Sequence, residues 1–332
     1  MPALPSQFKR SALGAPSQPA VFASSRDTGG IRRALSGFPE GTFSYLVLGG
    51  AQLAVGAAAI FARFALTAAS PLAVAAARLC IASLVLLAIR VVLRERRKYM
   101  SPDDQATVWL AGVALAIHFA SWIASLDYTS VAISTLLVSV TPLWTALYDL
   151  VVRGRRFPIA IPVAFIVAMA GLAMVTSTSR TTPPYPGHEG LGAGLAIVGS
   201  LAFAGYLLLV RDVSHRLTTR RIVTHTYTAA AVTLVVAAIA FHTPPPPLNA
   251  SVAWGGILAM ALVSQLLGHT GMNAALRWFS PVAVSFSTLI EPVAATILAF
   301  AIFGEALTGV AIAGAILLLT AIGTAIWLDP DQ

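Results

Sequence analysis

The chain has 332 residues, of which 57% are hydrophobic and only 10% charged, whereas ordinary soluble domains carry about a quarter charged residues. That much apolar side chain exceeds what a water-soluble core can hide, so composition excludes the two soluble domains that length alone would allow and predicts an all-α membrane protein. The formal charge of +8 does not point to nucleic acid, because the basic residues sit in short loops between apolar runs. The single cysteine, Cys80, excludes an internal disulfide and any cysteine-built zinc site.

Residues 1–40 are rich in Ser, Pro, Ala and Gly and carry Lys9, Arg10, Arg26, Arg32 and Arg33. No apolar core follows those charges, so the segment reads as a disordered cytoplasmic tail and not a cleavable signal. Apolar runs then follow at 44–65, 70–92, 106–126, 129–151, 157–177, 190–210, 222–242, 252–275, 281–303 and 307–328. A spanning helix needs about 20 such residues. Only helices and closed barrels satisfy the backbone inside lipid, and these runs lack the alternation of a barrel strand. The expectation is ten transmembrane helices, divided into 41–178 and 189–328. Pro183-Pro184 and the run Pro244 to Pro247 mark breaks between helices.

Charge sets the orientation. With the N-terminus inside, the tail, then Arg90, Arg94, Arg96, Arg97 and Lys98, then Arg153, Arg155 and Arg156, then Arg211, Arg216, Arg220 and Arg221, and finally Arg277 all fall on the inner side. Only Arg63 and Arg180 fall outside, and Arg78 lies within a span. So one-sided a distribution obeys the positive-inside rule with both termini cytoplasmic.

Several polar groups sit inside apolar runs, where each is costly and marks a site by default. Gln265, His269 and Asn273 follow one another at i, i+4 and i+8 and share a helix face. They face either a polar cavity or a neighbouring helix that they bond to. His118 and Trp122 are also at i, i+4, pairing an imidazole with an indole that suits a solute with an apolar or aromatic part. Glu291 stands beside Pro292 in the centre of the ninth run. It is open to pairing with Arg78, to a solute ammonium, to protonation, or to burial as a neutral acid. Arg78, too deep to reach water, suits either Glu291 or a solute carboxylate.

Sliding the second half on the first by 150 residues brings Thr141-Pro142 onto Glu291-Pro292, Gly154 onto Gly304, and Ala124, Leu126 and Ser130 onto Ala274, Leu276 and Ser280. Each half holds five helices, an odd number, so the second enters the membrane from the opposite side and the repeat is inverted, as in alternating-access transporters. The segments HFASWIASLDYTSVAISTLLVSVTPLWTALYDLVVRGRRF and GHTGMNAALRWFSPVAVSFSTLIEPVAATILAFAIFGEALT resemble the paired domains of the drug/metabolite transporter superfamily, EamA branch, over about 44–328. The resemblance implies ten helices in two inverted five-helix repeats and a secondary transporter, commonly an exporter of amino acids or other small metabolites. It also gives Arg78, in SPLAVAAARLCIA, the place of an arginine usual in the second helix. One departure stands out: the counterpart of Gly304-Glu305 is Gly154-Arg155, so the family's acid is missing from the first half.

The sequence therefore predicts a small-molecule transporter of a bacterial-type inner membrane, embedded in the lipid bilayer and without a cofactor or metal. The site is expected from His118, Trp122, Gln265, His269, Asn273 and Glu291, with Arg78 near it. Pro142 and Pro292 serve as hinges, and Glu305 as a helix-end or gate residue. Proton coupling through Glu291 or a histidine, and a homodimer, are left open. The rival readings are an intramembrane enzyme using histidine and glutamate, and a channel or non-transporting receptor. No HExxH, GxSxG or GK[ST] motif supports the first.

Overall fold

A computed structural model describes residues 40–94, 99–177, 185, 187–304 and 307–328. The tail expected over 1–40 lies outside these residues except for Glu40, which already begins a helix. Arg96, Arg97, Lys98, Arg180, Pro183, Pro184 and Glu305 also lie outside them.

The described residues form helices and turns, with no strand among them. In chain order these are α1 (Glu40–Gly56), α2 (Ala58–Ala65), α3 (Pro71–Val92), α4 (Pro102–Tyr128), α5 (Val131–Val138), α6 (Thr141–Val151), α7 (Ala160–Thr176), α8 (Glu189–Ser214), α9 (Thr219–Ala240) and α10 (Ser251–Ala259). A π-helical stretch, Met260–His269, joins α10 to α11 (Thr270–Ala275), and α12 (Pro281–Ser287), α13 (Ile290–Phe303) and α14 (Gly309–Trp327) complete the chain. Starts are set by capping hydroxyls. Ser70 accepts from the Ala73 amide, Ser101 from Asp104, Thr218 from Arg221 and Thr308 from Ala311, each supplying one of the acceptors that a helix N-terminus lacks. Pro71 and Pro102 occupy first-turn positions, where no amide hydrogen is needed.

Nine stretches among the described residues are long and apolar enough to cross a membrane. The fifth predicted span differs. Expected over 157–177, it is the 17-residue α7, about 26 Å at 1.5 Å per residue, slightly short of a ~30 Å hydrocarbon core. Pro162 explains its start. Beginning at Ala160 places that proline in the first turn, where its missing amide costs nothing, whereas a start at Phe157 would put it in the helix interior.

The fourth and ninth expected spans are each built from two helices, for one reason. A proline ring collides with the carbonyl four residues earlier. For Pro142 that carbonyl belongs to Val138, the last residue of α5, and for Pro292 it belongs to Thr288, just past α12. The freed groups are reused: Thr141 Oγ1 donates to the Val138 carbonyl at 3.0 Å, and the Glu291 amide donates to the Thr288 carbonyl at 2.9 Å. The surrounding frame also recurs at the same offset. Ser130 Oγ caps the Ile133 amide at 3.2 Å and Ser280 Oγ the Ala283 amide at 3.0 Å. Gly154 and Gly304 both take left-handed backbone, with φ of 66° and 68°, a conformation that stops a helix and suits glycine.

In the packing, α4 lies on α8, α9 on α3 and α4, α7 on α14, and the π stretch with α11 on α1. Helix α8 also touches α5 and α6, as α1 touches α12 and α13. The crossing of α7 on α14 is close at a pair of glycines. A Cβ on Gly171 would fall 2.7 Å from the Gly314 carbonyl, and one on Gly314 would fall 2.7 Å from the Gly171 carbonyl. Outward-facing side chains are large and apolar, among them Leu84, Ile166, Ile239, Leu267 and Ile316. Of the polar residues that sequence placed in mid-span, Arg78, His118, Gln265, His269 and Asn273 are buried.

Candidate functional site

Arg78 of α3 is fully buried, with 0% of its surface exposed. Its Nε donates to Oε1 of Gln265 at 3.0 Å, and its guanidinium carbon lies 4.1 Å from the centroid of the Phe119 ring. Nη1 and Nη2 have no hydrogen-bond partner among the described residues. The cation is thus held by one amide and one π face, with its fork left open. No ion pair joins it to Glu291 among the described residues.

Phe119 links this cation to both predicted histidines. It lies 4.9 Å from His118 and 5.3 Å from His269, centroid to centroid. Phe203 of α8 stacks on His118 at 4.6 Å and meets His269 edge-on at 5.9 Å. His118 Nδ1 lies 2.9 Å from the Gly199 carbonyl. A carbonyl only accepts, so Nδ1 carries the proton. Trp122 stacks parallel to His118 at 6.1 Å, and its Nε1 is buried without a hydrogen-bond partner among the described residues. His269 Nδ1 is likewise buried and unpartnered.

The Gln265–His269–Asn273 stripe divides by function. Gln265 spends its carbonyl on Arg78 and leaves Nε2 without a partner. Asn273, by contrast, is committed. It accepts from the Tyr206 hydroxyl at 2.8 Å and donates to the His269 carbonyl at 2.7 Å, so it joins α11 to α8. The π stretch beneath it changes the backbone bonding. Its wider turn gives the Gln265 carbonyl to the Thr270 amide, five residues on, and the carbonyl also accepts from the Tyr227 hydroxyl at 3.3 Å and from Thr270 Oγ1 at 3.4 Å. Such π segments recur at functional sites.

Glu291, in the first turn of α13, is partly exposed. Its backbone packs hard on α1, where a Cβ on Gly56 would come within 3.1 Å of the Glu291 carbonyl. One turn earlier, Gln52 is fully buried, donates to Ser287 Oγ at 2.7 Å and keeps an unpartnered Oε1. Sequence reading passed over Gln52, although a census of amides inside apolar runs would have found it by the signal that found Gln265. Tyr206, Tyr227, Phe119 and Phe203 were also missed, because nothing in the sequence separates an aromatic facing this cluster from one facing lipid. Thr141, the counterpart of Glu291, lies 3.3 Å from Ser200 Oγ, to which Trp144 Nε1 also donates at 3.0 Å.

Both prolines assigned as hinges stand at helix breaks, as described above. Glu305 lies outside the described residues. Arg155, which replaces the acid of the resemblance, is paired locally: its Nη1 lies 3.2 Å from Asp149 Oδ2, and Arg153 Nε lies 3.7 Å from Asp149 Oδ1. Beyond the spans, Arg216 reaches both Asp104 at 3.0 Å and Asp212 at 3.4 Å, and these acids raise its pKa. Neighbouring His215 is pushed the other way, by partial burial first and then by Arg211, Arg277 and Arg216. A wide apolar groove lies elsewhere, along α14 at Ile316, Leu319, Thr320, Gly323, Thr324 and Trp327. It has no charged lining residue.

The model of the EamA-like transporter family matches residues 42–177 and 190–327. The chain belongs to that family. This EamA-like transporter is 25% identical over 284 residues to the "Uncharacterized transporter YyaM" of Bacillus subtilis (strain 168), with 85% of this chain and 92% of the relative covered. A solved structure described only as "Crystal structure of protein" aligns with a TM-score of 0.70 at 17% identity, covering 86% of this chain and 97% of its own. That likeness is one of fold. With its membrane-length helices, the EamA-like transporter is a multi-pass membrane protein.

Proposed function

We propose that this EamA-like transporter carries a small metabolite, of the size and amphipathic character of an amino acid, by alternating access. The observation that carries the reading is the buried set of unpartnered polar atoms on Arg78, Trp122, Gln265 and His269. Groups left unsatisfied in a membrane interior are expensive, and a bound solute would satisfy them. Two five-helix repeats of opposite orientation, ten spans in all, rock about the site, and the breaks before Pro142 and Pro292 absorb the bending. Two of the main packing contacts support this reading. The contact of the third span with the sixth corresponds to that of the eighth with the first, and α7 on α14 corresponds to itself.

In this reading both termini face the cytoplasm across a bacterial inner membrane, as the basic loops require, and the favoured direction is export. Glu291 is the group proposed to couple transport to protons, because it is the carboxylate nearest the break in the ninth span and makes no ion pair with Arg78 among the described residues. An intramembrane enzyme is disfavoured, since His118 is turned onto a backbone carbonyl and not onto a carboxylate that would make it a base. Counterflow in liposomes tests the proposal: external labelled amino acids should accumulate transiently when the same unlabelled compound is loaded inside. Absence of saturable, exchangeable flux across a broad metabolite panel would sink it, and an ohmic current would favour a channel.

A further inference from the structure

We infer that the solute presents a carboxylate and that the open fork of Arg78 is its seat, an inference that rests on the transport reading above. A buried guanidinium needs a counter-charge. Here Nε is taken by Gln265 and one face by Phe119, which leaves Nη1 and Nη2 side by side with no partner among the described residues. Two parallel N–H donors in a plane match the two oxygens of a carboxylate.

Among the described residues no acid stands within ion-pair distance of that fork. Asp149 is engaged by Arg153 and Arg155, and Glu291 is not within ion-pair distance of Arg78 among the described residues. Two other orphans of the cluster agree in sign: the indole Nε1 of Trp122 and the amide Nε2 of Gln265 only donate, while His269 Nδ1 takes either role by tautomer. Unmet capacity here is donor-rich and carries a single formal cation, which fits a monoanion better than a dianionic phosphate. The rings of His118, Phe119 and Phe203 line the same cluster, so the carboxylate should bear a small apolar substituent. The structure thus ranks acids over amines as ligands, an order that membership of the family does not fix.

The test compares matched ligands on the purified full-length protein. Thermal unfolding is followed with sodium propionate through octanoate and with the corresponding primary amine chlorides at equal ionic strength. The acids should protect in a saturable way and the amines should not, a comparison that needs no variant. In Arg78→Gln the apparent affinity for the acids should fall by about tenfold or more, and Arg78→Lys should recover part of it, keeping the charge without the fork. Protection by the amines, no saturable protection by any acid, or an unchanged acid isotherm in Arg78→Gln would each overturn the assignment. Counterflow of a cationic or neutral solute would overturn it too while leaving the transport reading intact, whereas failure of all counterflow strikes the transport reading itself.

Discussion

Arg155 closes back on Asp149 at 3.2 Å, and its amide donates to the Asp149 carbonyl at 2.9 Å. The turn around Gly154 makes this geometry available, and the Arg155 guanidinium then rests 4.8 Å over the Phe157 ring. The arginine found where the resemblance expects an acid is therefore the cationic half of a local pair, whose carboxylate has been supplied from within α6.

Removing one member of that pair leaves a buried charge. Asp149 is fully buried and the Arg155 side chain is 13% exposed, so Asp149→Asn should destabilise the protein by about 3 kcal/mol or more. Asp149→Leu combined with Arg155→Leu should cost less than Asp149→Leu alone. Unfolding in detergent, monitored by tryptophan fluorescence, provides the comparison. Equal stability of wild type and Asp149→Asn would show that the pair contributes nothing.

Helices α7 and α14 meet through two glycines, each of whose added Cβ would strike the other's carbonyl at 2.7 Å. Gly171→Ala and Gly314→Ala should each cost about 1–3 kcal/mol by overpacking. Because one separation of the helices relieves both clashes, the double variant should cost less than the sum. Strictly additive losses would mean that the helices do not move as a unit.

His215 supplies a pH dependence outside the membrane. Its pKa is lowered from 6.5 by partial burial and by Arg211, Arg277 and Arg216, so the unfolded chain binds its proton more readily than the folded one. Its contribution is complete above pH 6.5 and is lost as pH falls from there towards the folded value. His215→Gln should flatten the acid side of the stability profile between neutrality and mild acidity. An unaltered acid limb in the variant would assign that limb to other groups.

The site itself should be chemically lopsided. Glu291→Gln is expected to reduce counterflow by about tenfold or more, the scale of one lost charged contact, with normal amounts of folded protein in the membrane. Thr141→Val, at the equivalent place in the first repeat, should retain most activity, since its hydroxyl serves the Val138 carbonyl and Ser200. Equal losses at both positions would refute the asymmetry.

Sequence exposed the apolar spans because lipid imposes one rule on every residue of a crossing helix. It also exposed the breaks at Pro142 and Pro292, because a proline's effect is local and fixed. Ser130, Ser280, Gly154 and Gly304 were legible for the same reason, each acting on its own few neighbours. What stayed hidden depends on distant partners. Asn273 and Gln265 share a stripe and look alike in sequence, yet Tyr206 occupies one while the other anchors Arg78. The π stretch was also invisible, since its bonding is shaped by the Tyr227 hydroxyl and by close contact with α1, where a Cβ on Gly268 would come within 3.0 Å of the Val55 amide nitrogen.

That π stretch has a mechanical consequence. It places one residue of slack in the eighth span around Gln265, the amide on which Arg78 leans. Tightening it into an ordinary helix would pass the Gln265 carbonyl from the Thr270 amide, five residues on, to the His269 amide, four residues on, and turn the upstream half of the span about its axis. The seat of the guanidinium is thus mounted on a slipping joint, so a change in the winding of one helix would swing the charge without either proline having to bend.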